Sequence, residues 1–398
     1  MKKGSTVLVV LLLAVCGATG AFAQSESDFE ITVENGAVTI TGYTGNETAV
    51  VIPATIEGLP VTAIGREAFW NCTGLTAISI PASVTSIGYG AFQDCTSLIK
   101  ITIPEGVTSI GDAAFYECSS LTSIRVKTNN NHYTSRNGVL FNKAGDELIA
   151  YPPGLKGQYA IPAGVTDIGS SAFSSCTGLG PVSIPASVTG IGNGAFSGCT
   201  SLTSIAVDTN SNHYTSRNGV LFNKAEDTLI VYPAGLKGQY AIPAGVTGIG
   251  SGAFSGCAGL TSIRIPASVT GIGDGAFLGC TGLTSVTIPA GITSIAELTF
   301  WKCTGLTSVN IPEGVTGIGG WAFWGCTGLT SVSIPASVTG IGNWAFNECN
   351  GLISVRIGAN VEIGDDYFEK GFDAYYNANG KKAGLYAYRK DAWRYAAQ

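Results

Sequence analysis

The chain has 398 residues, of which 45% are hydrophobic and only 12% charged, about half the charged share of an ordinary soluble domain. That much apolar content excludes intrinsic disorder, and 21 Lys and Arg against 27 Asp and Glu argues against a nucleic-acid backbone as partner. Length alone gives a soft expectation of two or three globular domains, which the internal repeats override.

Met1-Lys2-Lys3, the apolar stretch Val7 to Val15 and Ala21-Phe22-Ala23 before Gln24 form a secretory signal peptide over residues 1–23, too short for a spanning helix. A lipid-modified leader at Cys16 is the rival reading. It is disfavoured because bulky Val15 stands where such signals carry a small residue. The protein is expected to be exported under either reading, and to meet a membrane only if Cys16 is lipidated. Residues 24–60 follow as an N-terminal β cap with the first ladder strand. Their alternating strands turn at Glu34-Asn35-Gly36 and Thr44-Gly45-Asn46.

From 61 to 357 the chain repeats itself. Cysteines 72, 95, 118, 176, 199, 257, 280, 303, 326 and 349 are 23 or 58 residues apart, and a phenylalanine stands three before each one. The unit reads I-P-x-x-V-T-x-I-G-x-x-A-F-x-x-C-x-x-L-T-x-I-x, with Ile80 to Thr102 and Ile334 to Arg356 as copies. Leu329-x-x-Val332-x-Ile334 reads as a short strand stopped by Pro335, and Val338-x-x-Ile341-Gly342 as a second extended piece. Ala345-Phe346-x-x-Cys349 fits one helical turn with Phe and Cys on the inward side. Such a unit cannot bury its apolar side alone, whereas stacked units form columns of Leu, Phe and Cys. At about 4.8 Å per coil the stack is roughly 50–65 Å long.

Each 58-residue gap is one repeat plus an insert, at about 127–160 and 208–241. Both inserts carry NHYTSRNGVLFNKA and GLKGQYAIPAGVT. Val139-Leu140-Phe141, an acidic turn at Asp146-Glu147 and Leu148 to Tyr151 read as a β-hairpin. The tail, 358–398, replaces the repeat with aromatics, including Tyr375, Tyr376, Tyr386 and Trp393. With Asn379-Gly380 as a tight-turn dipeptide, it reads as a C-terminal β-hairpin cap or small module.

The 23-residue unit resembles the BspA-like, treponemal-type leucine-rich repeat over about residues 48 to 357. Gly42-Tyr43-Thr44 through Val61 and Asn379 to Tyr386 are similar to how such proteins open and close. The expected fold is an α/β solenoid: a right-handed leucine-rich-repeat stack with parallel β-ladders, short helical turns and two β-hairpin inserts. The resemblance implies a secreted or cell-surface bacterial protein that mediates adhesion by binding host or bacterial surface proteins, including extracellular-matrix components, without catalysis. A cell-envelope glycan-binding protein is the alternative.

Several candidate sites dissolve into scaffold. Equivalent cysteines on adjacent coils point the same way, so a column of buried thiols is expected rather than a disulfide framework. His132 and His213 lie in separate inserts, so no metal site is expected. Gly192-Asn193-Gly194 and its relatives lack the GK[ST] of a phosphate loop, and no catalytic residue or cofactor is assigned. Two surfaces remain. The residues between the paired aliphatics of each strand line an expected concave face, where Arg125, Arg264, Asn310 and Arg356 break a Ser/Thr surface. On the opposite side Trp301, Trp321, Trp324 and Trp344 replace Ser or Gly and are expected to form one aromatic strip, unless the Tyr-rich tail folds over it.

Overall fold

A computed structural model describes residues 25–363 and 368–396; the segment expected to be a signal peptide, with Cys16, lies outside them. The chain is a β-solenoid of about 14 turns, more than the ten Cys-bearing repeats because cap and insert coils also count. Registers advance by one 23-residue unit per coil. In the first parallel ladder, the one after each Leu, Thr287 faces Asn310, then Ser333, then Arg356. In the second, Ile64 faces Ile87, then Ile110. Alternation places Val332 and Ile334 in the core and Ser331 and Ser333 outside, as a half-buried strand requires.

The A-F-x-x-C piece is not the expected helical turn. It is a run of tight turns: Trp70 N–H donates to the Glu67 carbonyl (2.9 Å) and Cys72 N–H to the Phe69 carbonyl (3.3 Å). Glu67 and Asn71 take positive φ, 56° and 59°. The reason lies between coils. Left-handed residues turn alternate backbone groups sideways, so Phe69 N–H reaches the Ala91 carbonyl (2.8 Å) and Phe300 N–H the Ala322 carbonyl (2.7 Å). A helix would keep those groups for itself. The single α-helix among the described residues is Phe372–Ala378.

Behind these turns the phenylalanines stack face to face, with Phe277–Phe300 at 5.3 Å and Phe323–Phe346 at 4.9 Å. Where one repeat follows another directly, the cysteine thiol donates back to the Phe carbonyl of the preceding coil: Cys95 to Phe69, Cys280 to Phe254 and Cys349 to Phe323, all at 3.1 Å; after the inserts Cys176 and Cys257 reach the Tyr151 and Tyr232 carbonyls instead. A methyl or isopropyl group there would leave the dry carbonyl short of one donor. All ten cysteines of the repeats are free, and all but Cys72 are buried. Burial pushes the Cys118 and Cys199 thiols up to about 12 and raises Cys176 and Cys280 well above the ordinary range. At the N-terminal end of the column, neighbouring Cys95 holds half-buried Cys72 below the ordinary range, while Cys72 and burial raise Cys95 above it.

The core is divided in three, with the divisions at the inserts. Each insert contributes antiparallel strands, Tyr133–Arg136, Val139–Asn142 and Glu147–Ala150 in the first. The middle strand packs on both faces. Leu140 belongs to the N-terminal core, while Val139 and Phe141 belong to the next; Leu221, Val220 and Phe222 repeat this at the second insert. This explains an uninterrupted apolar run where a one-sided strand would alternate. Buried Asn130 organises the approach to the first insert. Its amide donates to the Pro104 and Val107 carbonyls, and its oxygen accepts from His132 and Tyr133 N–H. The His132 contribution is therefore its backbone, and its side chain is exposed.

The caps extend the aromatic column. Tyr43 stacks on Phe69 and Phe368 on Phe346. Strands Gly384–Arg389 and Ala392–Ala396 pair antiparallel and close the first ladder against Ser354–Ile357. Asn379-Gly380 is not their turn. Asn379 caps the helix and Gly380, φ 69°, ends it, because Phe372 and Tyr376 are buried one helical turn apart. The hairpin turns instead at Lys390-Asp391.

Titration of the unfolded, signal-cleaved protein without reductant is expected to find ten thiols, and in the native protein only Cys72 should react readily. A shortfall on unfolding would reveal disulfides and contradict the thiol column.

Candidate functional site

On the strand face, nine of the ten expected outward positions are exposed, Thr102 being half-buried. The arginines do not converge. Arg125 aligns with Thr102, Arg264 with Ala241 and Arg356 with Ser333, in three separate ladder segments. Each is an isolated charge among Ser and Thr, and Asn310 lies in register one coil beyond Thr287. Strand alternation explains the whole face.

The turn edge is more organised. Trp301 and Trp324 stack at 5.4 Å with planes 13° apart, and Trp321 and Trp344 lie 5.2 Å apart at 36°. The two pairs are side by side because Trp321 and Trp324 close one tight turn, Trp324 N–H to Trp321 carbonyl at 3.1 Å. The Lys302 ammonium sits 4.1 Å from the Trp301 ring centre and 5.5 Å from that of Trp324, within cation–π reach. Trp344 is 42% exposed and the other three are half-buried. Among the described residues the tail aromatics pack on the end of the column: Phe372 contacts Phe368, Tyr386 and Trp393.

The same turn positions at the N-terminal end also depart from Ser and Gly, which the tryptophan pattern alone did not reveal. Trp70 Nε1 donates to an Asp94 carboxylate oxygen at 3.1 Å, joined by Gln93 Nε2 at 3.3 Å. Glu117 is raised above the ordinary carboxylate range by burial first and by neighbouring Asp94 second. Tyr116 is pushed up to about 12 by burial. Reading positions three and four of every A-F-x-x-C across the coils would have found this cluster.

Between the two ends the edge is bare: Ser174, Ser197 and Ser255 beside Ser175, Gly198 and Gly256. These coils flank the inserts, where the turn is cut short to Tyr151-Pro152-Pro153 and Tyr232-Pro233-Ala234. Neighbouring full turns therefore close on one another. Gly198 N–H donates to the Ser255 carbonyl at 3.3 Å, and a Cβ on Gly256 would lie 2.8 Å from the Gly198 Cα. Strands are added in the second ladder while the turn edge is shortened, which brings neighbouring full turns together on that edge. Along the edge an acidic, aromatic stretch and a Trp and Lys stretch are separated by a Ser and Gly floor.

A solenoid with these columns defines a leucine-rich-repeat protein. The profile of the BspA type leucine rich repeat region matches six copies over residues 42–143, 157–229 and 239–372, and the chain belongs to that family. It is 32% identical to a leucine rich cell surface protein of Faecalibacterium prausnitzii, covering 92% of this chain and 98% of that one with a TM-score of 0.49. It is 29% identical to a T. pallidum leucine rich repeat protein, covering 65% and 90% with a TM-score of 0.31. It is 19% identical to the pneumococcal vaccine antigen PcpA, covering 85% and 88% with a TM-score of 0.48. No curated protein matches the chain.

Because the folded protein holds the Glu117 proton more tightly than the unfolded chain does, this site loses stability as pH rises through the folded pKa. Glu117→Gln is therefore expected to raise the melting temperature at neutral pH, with the gain vanishing below the ordinary carboxylate range. A gain that persists at low pH would contradict this origin.

Proposed function

We propose that this is an exported bacterial surface protein, a right-handed solenoid with two hairpin inserts, that binds protein partners along its aromatic turn edge and performs no catalysis. The observation that carries the reading is the pair of part-exposed tryptophan columns, with Lys302 over the rings of one of them. Trp is the residue most often found to dominate protein interfaces, and an extended repeat surface suits large partners. No group of His, Cys, Asp or Glu arranged to hold a metal occurs among the described residues, and no described helix is long and apolar enough to cross a membrane. Arg125, Arg264, Asn310 and Arg356 serve at most as secondary contacts in this reading.

The glycan alternative draws on the same tryptophans, but sugar stacking needs open ring faces. Here Trp301 and Trp324 stack on one another and Lys302 lies over Trp301, so these two rings have faces already taken.

The test is binding to immobilised matrix and surface proteins beside purified polysaccharide and peptidoglycan. Trp301→Ala with Trp324→Ala is expected to weaken a protein partner by about tenfold or more, and Arg125→Ala with Arg264→Ala to change little. The reverse pattern would move the site to the strand face, and loss of polysaccharide binding in Trp321→Ala with Trp324→Ala would favour the glycan reading. Cleavage by protease added to intact cells checks surface display.

A further inference from the structure

The two ends of the first ladder are unlike in backbone and opposite in charge. At the N-terminal end the last strand is Ala49–Val51, paired only with Ala77–Ser79 among the described residues. Ile52 N–H bonds inward to the Ser79 carbonyl and the Thr48 carbonyl accepts inward from Thr76. Strand alternation therefore turns the N–H and C=O groups of Ala49 and Val51 outward, and the Val51 side chain is 55% exposed. The N-terminal hairpin Phe29–Glu34 and Ala37–Tyr43 caps the second ladder instead. Residues 25–60 hold Glu26, Asp28, Glu30, Glu34, Glu47 and Glu57 and no Lys or Arg.

The C-terminal end of the same ladder is strand Ala392–Ala396, paired on one side with Gly384–Arg389. Tyr395, 41% exposed, gives its N–H to the Tyr375 hydroxyl at 3.3 Å. One outward group is thus covered, and among the described residues no further strand pairs with that edge. Lys381, Lys382, Arg389, Lys390 and Arg394 surround it, with Asp391 as the one acid between 380 and 396. All but half-buried Lys381, which pairs with Glu362 at 2.7 Å, are exposed.

We propose that copies of this chain associate head to tail, the strand Ala392–Ala396 of one copy adding to the Ala49–Val51 edge of the next. An uncovered strand edge is a template for another strand, and each half of the match, acidic edge and basic edge, is present on every copy. The pairing is between different surfaces and does not close on itself, so it builds an open row rather than a symmetric dimer. The charges steer the approach and fix its direction, and salt weakens it.

Sedimentation velocity of the signal-cleaved chain tests this over a concentration series at low and high salt. Association that grows with concentration and falls with salt is expected. Val51→Pro removes one outward donor at an edge position where proline is tolerated, and Lys390→Glu with Arg394→Glu reverses the tail; each variant alone should stay monomeric. Mixed together they should give a one-to-one dimer and nothing larger. If Val51→Pro misfolds by circular dichroism, Glu47→Lys with Glu57→Lys replaces it; alone it should stay monomeric, and mixed with the charge-reversed tail it should give an alternating open row, because both junctions are then charge-matched. A wild-type chain that stays monomeric at low salt, variants that self-associate like wild type, or a mixture that stays monomeric would each overturn the proposal.

Discussion

Wherever one repeat follows another directly, Phe sits at the junction between coils. Its N–H goes forward to the carbonyl just before the next Phe, and its own carbonyl receives the thiol of that coil's cysteine. Its ring lies flat against the next ring. A single residue thus links backbone register, side-chain stacking and satisfaction of a buried carbonyl. The remaining positions follow from it. Positive φ at Glu67 and Asn71 exists to turn those groups toward the neighbouring coil, and Leu and Val fill the space the rings leave. A shift of one residue would break all three contacts at once, which is why 23-residue spacing is kept so strictly between inserts.

The inserts interrupt that regularity in a directed way. They widen one ladder and shorten the turn edge, so the coils on either side meet at residues that must be small. The Ser and Gly floor is therefore a packing requirement and not a chemical signal. Asp94, Glu117, Lys302, Trp321 and Trp344 depart from it at both ends although each holds a positive φ that favours glycine.

Columns and ladders were legible in the chain because they follow from spacing alone, and so was the exposure of Arg125, Arg264 and Arg356 at alternate strand positions. The helical turn was misread because Phe and Cys three apart fit a tight turn as well as a helix; the choice depends on hydrogen bonds to another coil, which local pattern does not contain. Asn379-Gly380 suits a hairpin or a helix end, and burial of Phe372 and Tyr376 decided between them. The acidic cluster was overlooked because its contacts, such as Trp70 with Asp94, join neighbouring coils and are not contained in a single repeat.

Strand Val139–Asn142 and its counterpart Val220–Asn223 serve as shared walls, each giving one face to the core before it and one to the core after it. Such a rod is assembled from three compartments rather than poured as one. Damage within a compartment can be contained by its walls, and a whole compartment can be copied or lost with its walls intact. The near-identical inserts and the block between them are what such compartment-wise growth leaves behind.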